Sequence, residues 1–476
     1  SSSEVASTRF SHVSAAPVRV VTMRASISFC AGLILFVSCQ AFIEDPTLKD
    51  VKQVEEGPAR SIFHKFVAFH EREYAGNEKE WEKRFNIFHN NMKIVSQHNQ
   101  KELLYKLALN ELADSSHEEV LHRKMGMAPP ASKRAPNDDL PPVPDHDIPE
   151  IYNPFPRGVP SHSDCSYKLA DVKYPAQIDW RELGVVAPIR NQGHCGAGWA
   201  FATTTVVESM NAIMLGEFVE LSDQVQIDCN WRGGGCDGGA TVEEGYKWAL
   251  ANGLPRLETY PRAYKSKQGA CNMSRSYPVE TKAAIFDTYE LIPAGEDNLK
   301  KAVAIGPTAV QVDATCPDFN FYHSGVYTAA EGCDSTGAAG TLTHAMVVVG
   351  FNADGDASGV PYWIVRNSWG EDWGEGGYMK MAMYQGDAGL YGLARSASRP
   401  VKDGSTAFHL WSRLPEWAVQ ARHQLQLNML DIPKRINATN EAEKEKAEEA
   451  EKHKDDVEAA IKVGMQGFGY RKALMW

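Results

Sequence analysis

Ten prolines fall between residues 129 and 160 of this 476-residue chain. Pro129, Pro130, Pro136, Pro141, Pro142, Pro144, Pro149, Pro154, Pro156 and Pro160 each fix φ and remove a backbone donor, so neither a regular helix nor a central strand can run through them. The stretch must therefore be a linker, which the composition places at residues 122–172. Lys133-Arg134 inside it reads as an exposed dibasic pair. At roughly 100–200 residues per domain, the length allows two or three units with cores of their own.

Ahead of the linker the sequence changes character twice. From Met23, a basic residue (Arg24) precedes an apolar run from Ile27 to Val37, and small or polar residues follow to Ala41. That pattern predicts a signal peptide over 23–41, since the run is well short of the ~18–20 apolar residues a membrane span needs. Residues 1–22 resemble neither signal nor fold and read as upstream, non-native sequence. The expectation is a product of the secretory pathway, extracellular or lysosomal/vacuolar, free of the membrane after signal cleavage. Residues 42–121 then read as helical. Ile62, Phe66 and Phe69 recur at helical steps, with Phe63 and Val67 beside them, so the spacing predicts helix over about 61–100. In its second part Glu80, Arg84, Phe88, Asn91, Val95 and Asn99 are spaced 4, 4, 3, 4 and 4, which puts all six on one helix face. An ordinary amphipathic helix explains the apolar members of that face but not the repeated polar ones.

Beyond the linker, residues 173–400 are glycine- and tryptophan-rich and form the main folded region. The segment Asn191 to Phe201 is a glycine-rich loop, and Val206, Val207, Met210, Ile213 and Met214 behind it step as a buried helix that Gly216 can end. A helix start presents free N–H groups and a partial positive charge, which favours a thiolate or an oxyanion there. Such an arrangement suits nucleophilic acyl transfer. Residues 401–476 form a C-terminal extension in which nine acids and four lysines between Glu441 and Glu458 suggest a charged helix or a disordered tail.

The motifs resemble those of the papain-like cysteine peptidases, the cathepsin family. Gln192 to Phe201 matches the family's glycine-rich nucleophile loop, and Leu221 to Gln224, Asp228-Cys229 and Gly235 to Gly239 match its next block. Thr343 to Met346 resembles its histidine strand, and Tyr362 to Gly370 with Trp373 to Tyr378 its asparagine block. The six-residue helix face, with Asn110, Leu112 and Asp114, resembles the family's inhibitory propeptide. The fold implied is α+β: a helical propeptide, then two lobes around a cleft, one mainly helical and one a β-barrel-like lobe carrying His344 and Asn367. By that resemblance His344 pairs with the nucleophile, Asn367 holds the imidazole in its working tautomer, and Trp369 shields that bond. Gln192 and the backbone N–H of residue 198 form the oxyanion site. Gly238 and Gly239 let an extended peptide lie close, beside Thr343, while Ala240, Thr241 and Ser396 stand at the specificity pocket.

One position departs from the family. Its nucleophilic cysteine lies directly before the tryptophan, and here that residue is Gly198. Glycine has nothing to attack a carbonyl with, Ala197 is inert, and Cys195 matches a disulfide cysteine of the family. The implied activity is therefore a pseudopeptidase that grips extended peptides, its own propeptide among them, and needs an activating protease in trans. Two alternatives remain: an active cysteine endopeptidase, if residue 198 is a sequence error or an engineered change, and a propeptide that inhibits other cysteine peptidases.

The resemblance pairs Cys195 with Cys236 and Cys229 with Cys271. The family partner of Cys333 falls at Tyr391, which leaves Cys316 as its alternative partner and Cys165 as the odd thiol. Asn272-Met-Ser274 and Asn437-Ala-Thr439 are glycosylation sequons. The histidines are scattered without metal-ligand spacing, so no metal and no cofactor is expected. With 49 basic against 61 acidic side chains the formal charge is −12, which argues against a nucleic-acid partner.

Overall fold

A computed structural model describes residues 55–125, 163–164, 172 and 174–402, apart from 216–217, 239–240, 261–262, 274–281, 285 and 338–341. The signal sequence, Lys133-Arg134, Cys165, Gly239, Ala240, the Asn437 sequon and the charged stretch 441–458 lie outside the described residues.

The predicted helix over 61–100 is two helices, α1 (Glu56–Phe69) and α2 (Glu78–Asn99), separated by a 3-10 turn at Glu73–Gly76. The break is chemical: the Asn77 side chain accepts from the Glu80 N–H at 3.2 Å and so starts α2 afresh. It also corrects the apolar face. Ala59, Phe63, Phe66 and Val67 are the buried residues of α1, and Phe69, at its last position, is 50% exposed. Phe63 joins the two helices, its ring 4.9 Å from Trp81 and 5.0 Å from Phe88. Each such buried phenylalanine contributes about 1.5–3 kcal/mol.

The polar members of the six-residue face hold the segment that follows. Arg84 forks onto Glu119 at 2.7 and 3.0 Å, bonds Glu80 at 2.8 Å, and donates to the Asp114 carbonyl. Asn91 donates to the carbonyls of Ala113 and Ser115, and Asn99 exchanges two bonds with the backbone of Leu107 at 2.9 and 2.7 Å. Phe88 and Val95 are fully buried. Asn99 thereby covers the outer edge of a short strand, β1 (Tyr105–Leu107). Asn110 caps the Leu112 N–H, while Asp114 accepts from Tyr74 and Arg72 at 2.5 and 3.0 Å.

A third helix, α3 (His117–Met125), runs past residue 121, where the sequence placed the end of the helical segment. Its start is a reciprocal capping box. Ser116 Oγ accepts from the Glu119 N–H, and the Glu119 carboxylate accepts from the Ser116 N–H. Acidic residues in its first turn and His122, Arg123 and Lys124 in its last suit the helix dipole and carry the helix to Met125.

The rest of the chain is the two-lobed α+β architecture. On the helical side α4 (Gly198–Leu215), α5 (Asp223–Cys229) and α6 (Val242–Asn252) pack together. On the other side ten strands of the described residues form one sheet, and β4 (Leu254–Pro255) and β5 (Lys282–Ala284) pair apart from it. Its central strands are β7 (Thr308–Val312), β9 (His344–Asn352), β10 (Tyr362–Arg366) and β11 (Tyr378–Ala382). These pair antiparallel in the order β11-β10-β9-β7. Beyond β7 come β12 (Ala397–Val401), β6 (Thr288–Ile292) and β2 (Ser163–Asp164), while β3 (Gln177–Asp179) pairs with β9. At the opposite end β8 (Tyr322–Tyr327) lies between β11 and β1, so the helical N-terminal segment adds an edge strand to the sheet. The face of α4 turned to the sheet packs against β9, and residues 198–214 are buried throughout. Disulfides join Cys195 to Cys236, Cys229 to Cys271 and Cys316 to Cys333. Tyr391, at the position of the family's usual partner for Cys333, is buried and its hydroxyl accepts from the Ala330 N–H.

Candidate active site

The two lobes meet where α4 begins and β9 begins, which brings Gly198 against His344. A Cβ on Gly198 would lie 2.9 Å from His344 Cε1, 3.0 Å from Nδ1 and 3.4 Å from the Ala345 carbonyl oxygen. The imidazole thus stands against the space a side chain at 198 would fill. Its other nitrogen, Nε2, is 2.8 Å from Asn367 Oδ1. That oxygen also accepts the Ser368 N–H at 2.8 Å, which fixes the carboxamide with its acceptor toward the ring. Nε2 therefore carries the proton, and the Nδ1 lone pair faces residue 198. Trp369 lies with its ring 5.0 Å from the imidazole and is 1% exposed, so water is kept from the His344–Asn367 bond. Burial, against the Asn367 hydrogen bond and helped by the Lys124 charge nearby, pushes the imidazole pKa down to about 4, so the ring is neutral across the physiological range.

Gln192 is buried beneath this pair. Ser368 Oγ donates to its Oε1 at 2.6 Å, which turns Nε2 toward the cleft. There Nε2 donates to the carbonyls of Cys195 at 2.8 Å and of Lys124 at 2.6 Å. A carbonyl from the last turn of α3 thus sits where a peptide carbonyl would meet an oxyanion donor. The Lys124 side chain is buried too, its ammonium 2.6 Å from Glu111 and 3.3 Å from Asn191 Oδ1. The Asn191 amide returns a bond to Glu111 at 3.0 Å, and these donors hold the Glu111 carboxyl below the usual carboxylate range against its burial. Thr343 touches the same segment, its hydroxyl 3.7 Å from Met125 Sδ.

Behind the site, Arg190 bonds Asp223 at 2.6 Å and also Glu208, both buried. Burial raises Glu208 to about 7 even beside that guanidinium. Glu208 additionally accepts the Leu221 N–H at 2.6 Å, so the cluster ties α4 to the start of α5. Thr241 and Ser396 line one cavity together with Ala309, Val310 and Gln311, and Ser396 Oγ lies 3.2 Å from Gln311 Oε1. Gly238 sits at a φ of 72°, two residues past the Cys195–Cys236 bridge. Among the described residues the one group with metal-ligand spacing is Cys316, Asp318 and Cys333, and its two sulfurs are joined to each other.

Gln192, Gly198, Thr343, His344, Asn367 and Trp369 thus converge. The sequence had given no role to Lys124, Glu111, Asn191, Ser368, Arg190, Glu208 or Asp223. The one local signal for the first of these was the capping box Ser116-His-Glu-Glu119, which extends α3 to Lys124.

Comparison with known proteins agrees with this arrangement. Residues 174–401 match the papain family cysteine protease domain, and residues 63–120 match the cathepsin propeptide inhibitor domain. A probable cysteine protease of Arabidopsis thaliana, RDL6, is 35% identical over 349 residues, covering 72% of this chain and 87% of that protein. Digestive procathepsin L 3 from Tenebrio molitor larval midgut superposes with a TM-score of 0.57 at 28% identity, covering 72% of this chain and 99% of that one. The recombinant stem bromelain precursor gives 0.57 at 29% identity, covering 73% and 99%. The chain belongs to the papain family of cysteine proteases and carries a cathepsin-type propeptide inhibitor domain ahead of its protease domain.

Proposed function

We propose that this member of the family is a pseudopeptidase, made for the secretory pathway and its extracellular or vacuolar end points, which binds extended peptides in a retained cleft and does not cut them. The observation that carries the reading is Gly198: no side chain stands at the nucleophile position, and His344 Nδ1 lies 3.0 Å from where its Cβ would be. Loss of the nucleophile alone cost about 10⁶-fold in turnover in a serine peptidase. What a peptide would bind to is retained in the Gln192 amide, the glycines after Cys236 and the cavity at Ser396. In the zymogen the Lys124 carbonyl takes the place of a peptide carbonyl on Gln192. Because self-cleavage is unavailable, a second protease removes the propeptide, with Lys133-Arg134 as its entry point, and His344 serves as a neutral hydrogen-bonding wall of the cleft.

The competing reading is an active cysteine endopeptidase. It draws on the intact Gln192–His344–Asn367 geometry and on relatives named as cysteine proteases. It requires Cys at residue 198, one base change from a glycine codon. One experiment separates the two. The secreted protein, freed of its propeptide by a Lys/Arg-specific protease, is titrated with a thiol-directed epoxide and a fluorogenic dipeptide substrate. The pseudopeptidase gives neither labelling nor turnover, and stoichiometric labelling overturns it.

A further inference from the structure

The receptor for the propeptide strand is a single disulfide loop. Cys316 and Cys333 are 17 residues apart, and between them lie the 3-10 turn Pro317–Phe321 and strand β8. The bonds that tie β1 and its flanks to the protease domain end inside this loop. The Tyr105 hydroxyl donates to Asp318 at 2.5 Å, and the Ala108 N–H to the Phe321 carbonyl at 2.9 Å. The Asn110 amide donates to the Asn320 carbonyl at 2.8 Å. The Leu104 carbonyl accepts from Val326 at 2.9 Å, and Lys101 pairs with Glu331. Gly325 leaves room for the approach, since a Cβ there would fall 2.2 Å from the Leu104 carbonyl oxygen.

The anchor of this contact touches the disulfide itself. Asp318 is buried and accepts from Tyr105 on one oxygen and from Tyr327, at 2.7 Å, on the other. Cys316 Sγ lies 2.8 Å from that second oxygen. Cys316 is buried and Cys333 half-buried, so a reductant meets the Cys333 sulfur first.

We propose that the Cys316–Cys333 disulfide is a redox latch, which holds the propeptide on the cleft while oxidised and loosens it when a dithiol reduces it. The proposal rests on the reading of the propeptide as occupant of the cleft. A thiolate of the dithiol attacks Cys333 Sγ, and the Cys316–Cys333 bond breaks with Cys316 leaving as thiolate. The second thiol then closes on the mixed disulfide and frees Cys333. Two electrons pass from the dithiol to the cystine, and the two cysteines take up the two protons the dithiol gives up. Reduction acts twice. It frees a loop of this size to open on the order of 100-fold more often in the chain-entropy picture. It also creates a Cys316 S–H donor beside Asp318, in competition with the phenols of Tyr105 and Tyr327.

The test is hydrogen exchange with mass readout on the full chain, oxidised and as the Cys316→Ser/Cys333→Ser double variant. Exchange over residues 105–110 is expected to quicken on the order of 100-fold, with the backbone of β9 and β10 unchanged. Unchanged protection at 105–110, in a variant whose β9 and β10 match the parent, overturns the latch. Should the double variant lose protection everywhere, the parent is treated instead with graded dithiothreitol and its disulfides mapped. The latch then requires loss of 105–110 protection in step with opening of Cys316–Cys333, and persistence of that protection after the bond has opened refutes it. Tyr105→Phe, which keeps the disulfide, is expected to quicken the same exchange by several-fold, and no change there removes Asp318 from the mechanism. Fast exchange at Lys124–Met125 in the untreated oxidised chain contradicts the cleft-occupant reading by itself, while residues 105–110 still judge the latch.

Discussion

Restoring a thiol at Gly198 is the perturbation whose consequences are most closely fixed by the geometry. The new Cβ would stand 2.9 Å from His344 Cε1 and 3.0 Å from Nδ1. Ordinary contact begins near 3.4 Å, so the imidazole must retreat by roughly half an ångström against its Asn367 bond and the Trp369 ring. Such overpacking costs about 1–3 kcal/mol of stability, so the Gly198→Cys protein unfolds at a lower temperature than its parent. The gain is chemical. A thiol at the start of α4, against the lone pair of Nδ1, gives up its proton to the ring and becomes a nucleophile. Turnover of a fluorogenic dipeptide should rise by about 10⁶-fold over the parent once the propeptide is removed. Before removal the variant should stay silent, because the Lys124 carbonyl holds the Gln192 amide. A Gly198→Ala control carries the steric cost without the sulfur and should lose stability while gaining nothing. No gain in folded, propeptide-free Gly198→Cys, or turnover by the parent at a comparable rate, would refute this.

Three further outcomes follow from particular contacts. Burial lowers the pKa values of His70, His98 and His117 below the ordinary 6.5, so the folded propeptide keeps them neutral while the unfolded chain protonates them. Their contribution is intact above about pH 6.5 and falls away below it. Glu111 and Glu119, held below their usual range by Lys124 and Arg84, lose theirs at still lower pH. Denaturation of the propeptide followed by tryptophan fluorescence should therefore become easier from pH 7 to 4, and equal stability across that range would contradict the assignment. Asn99→Ala removes both bonds to Leu107 and should destabilise the propeptide by about 1–3 kcal/mol, measured by urea unfolding of the full chain. Gly245→Ala puts a Cβ 2.2 Å from Thr203 Oγ1, where α6 crosses α4, and should cost about 1–3 kcal/mol in the same measurement, with no loss if the two helices can part.

Local chemistry in the sequence was enough for much of this. The glycine-rich loop feeding an apolar helix located α4, and a polar face at helical spacing located the residues that grip β1 and the turn before α3. The same reading put one helical span over about 61–100 with a second run from Glu80, and did not place the break between Phe69 and Glu78, where Glu71 turns left-handed at a φ of 48° and Asn77 caps α2 afresh. Phe69, which the spacing grouped with Ile62 and Phe66, ends α1 and is half exposed. The contacts that occlude the site were not legible. Tyr105 meets Asp318 across 213 residues, and Gln192 meets Lys124 across 68, and neither pair leaves a periodic trace. The Cys316–Cys333 bridge was one open possibility, since spacing alone cannot select among cysteines.

What this cleft does is decided by whether it holds a peptide and returns it whole. Propeptide-free protein is titrated calorimetrically with an extended peptide, and the contents of the cell are then weighed by mass spectrometry. Saturable binding with the peptide recovered intact is the predicted result. Cleavage products, or a protein mass increased by an acyl group on this chain, would contradict it.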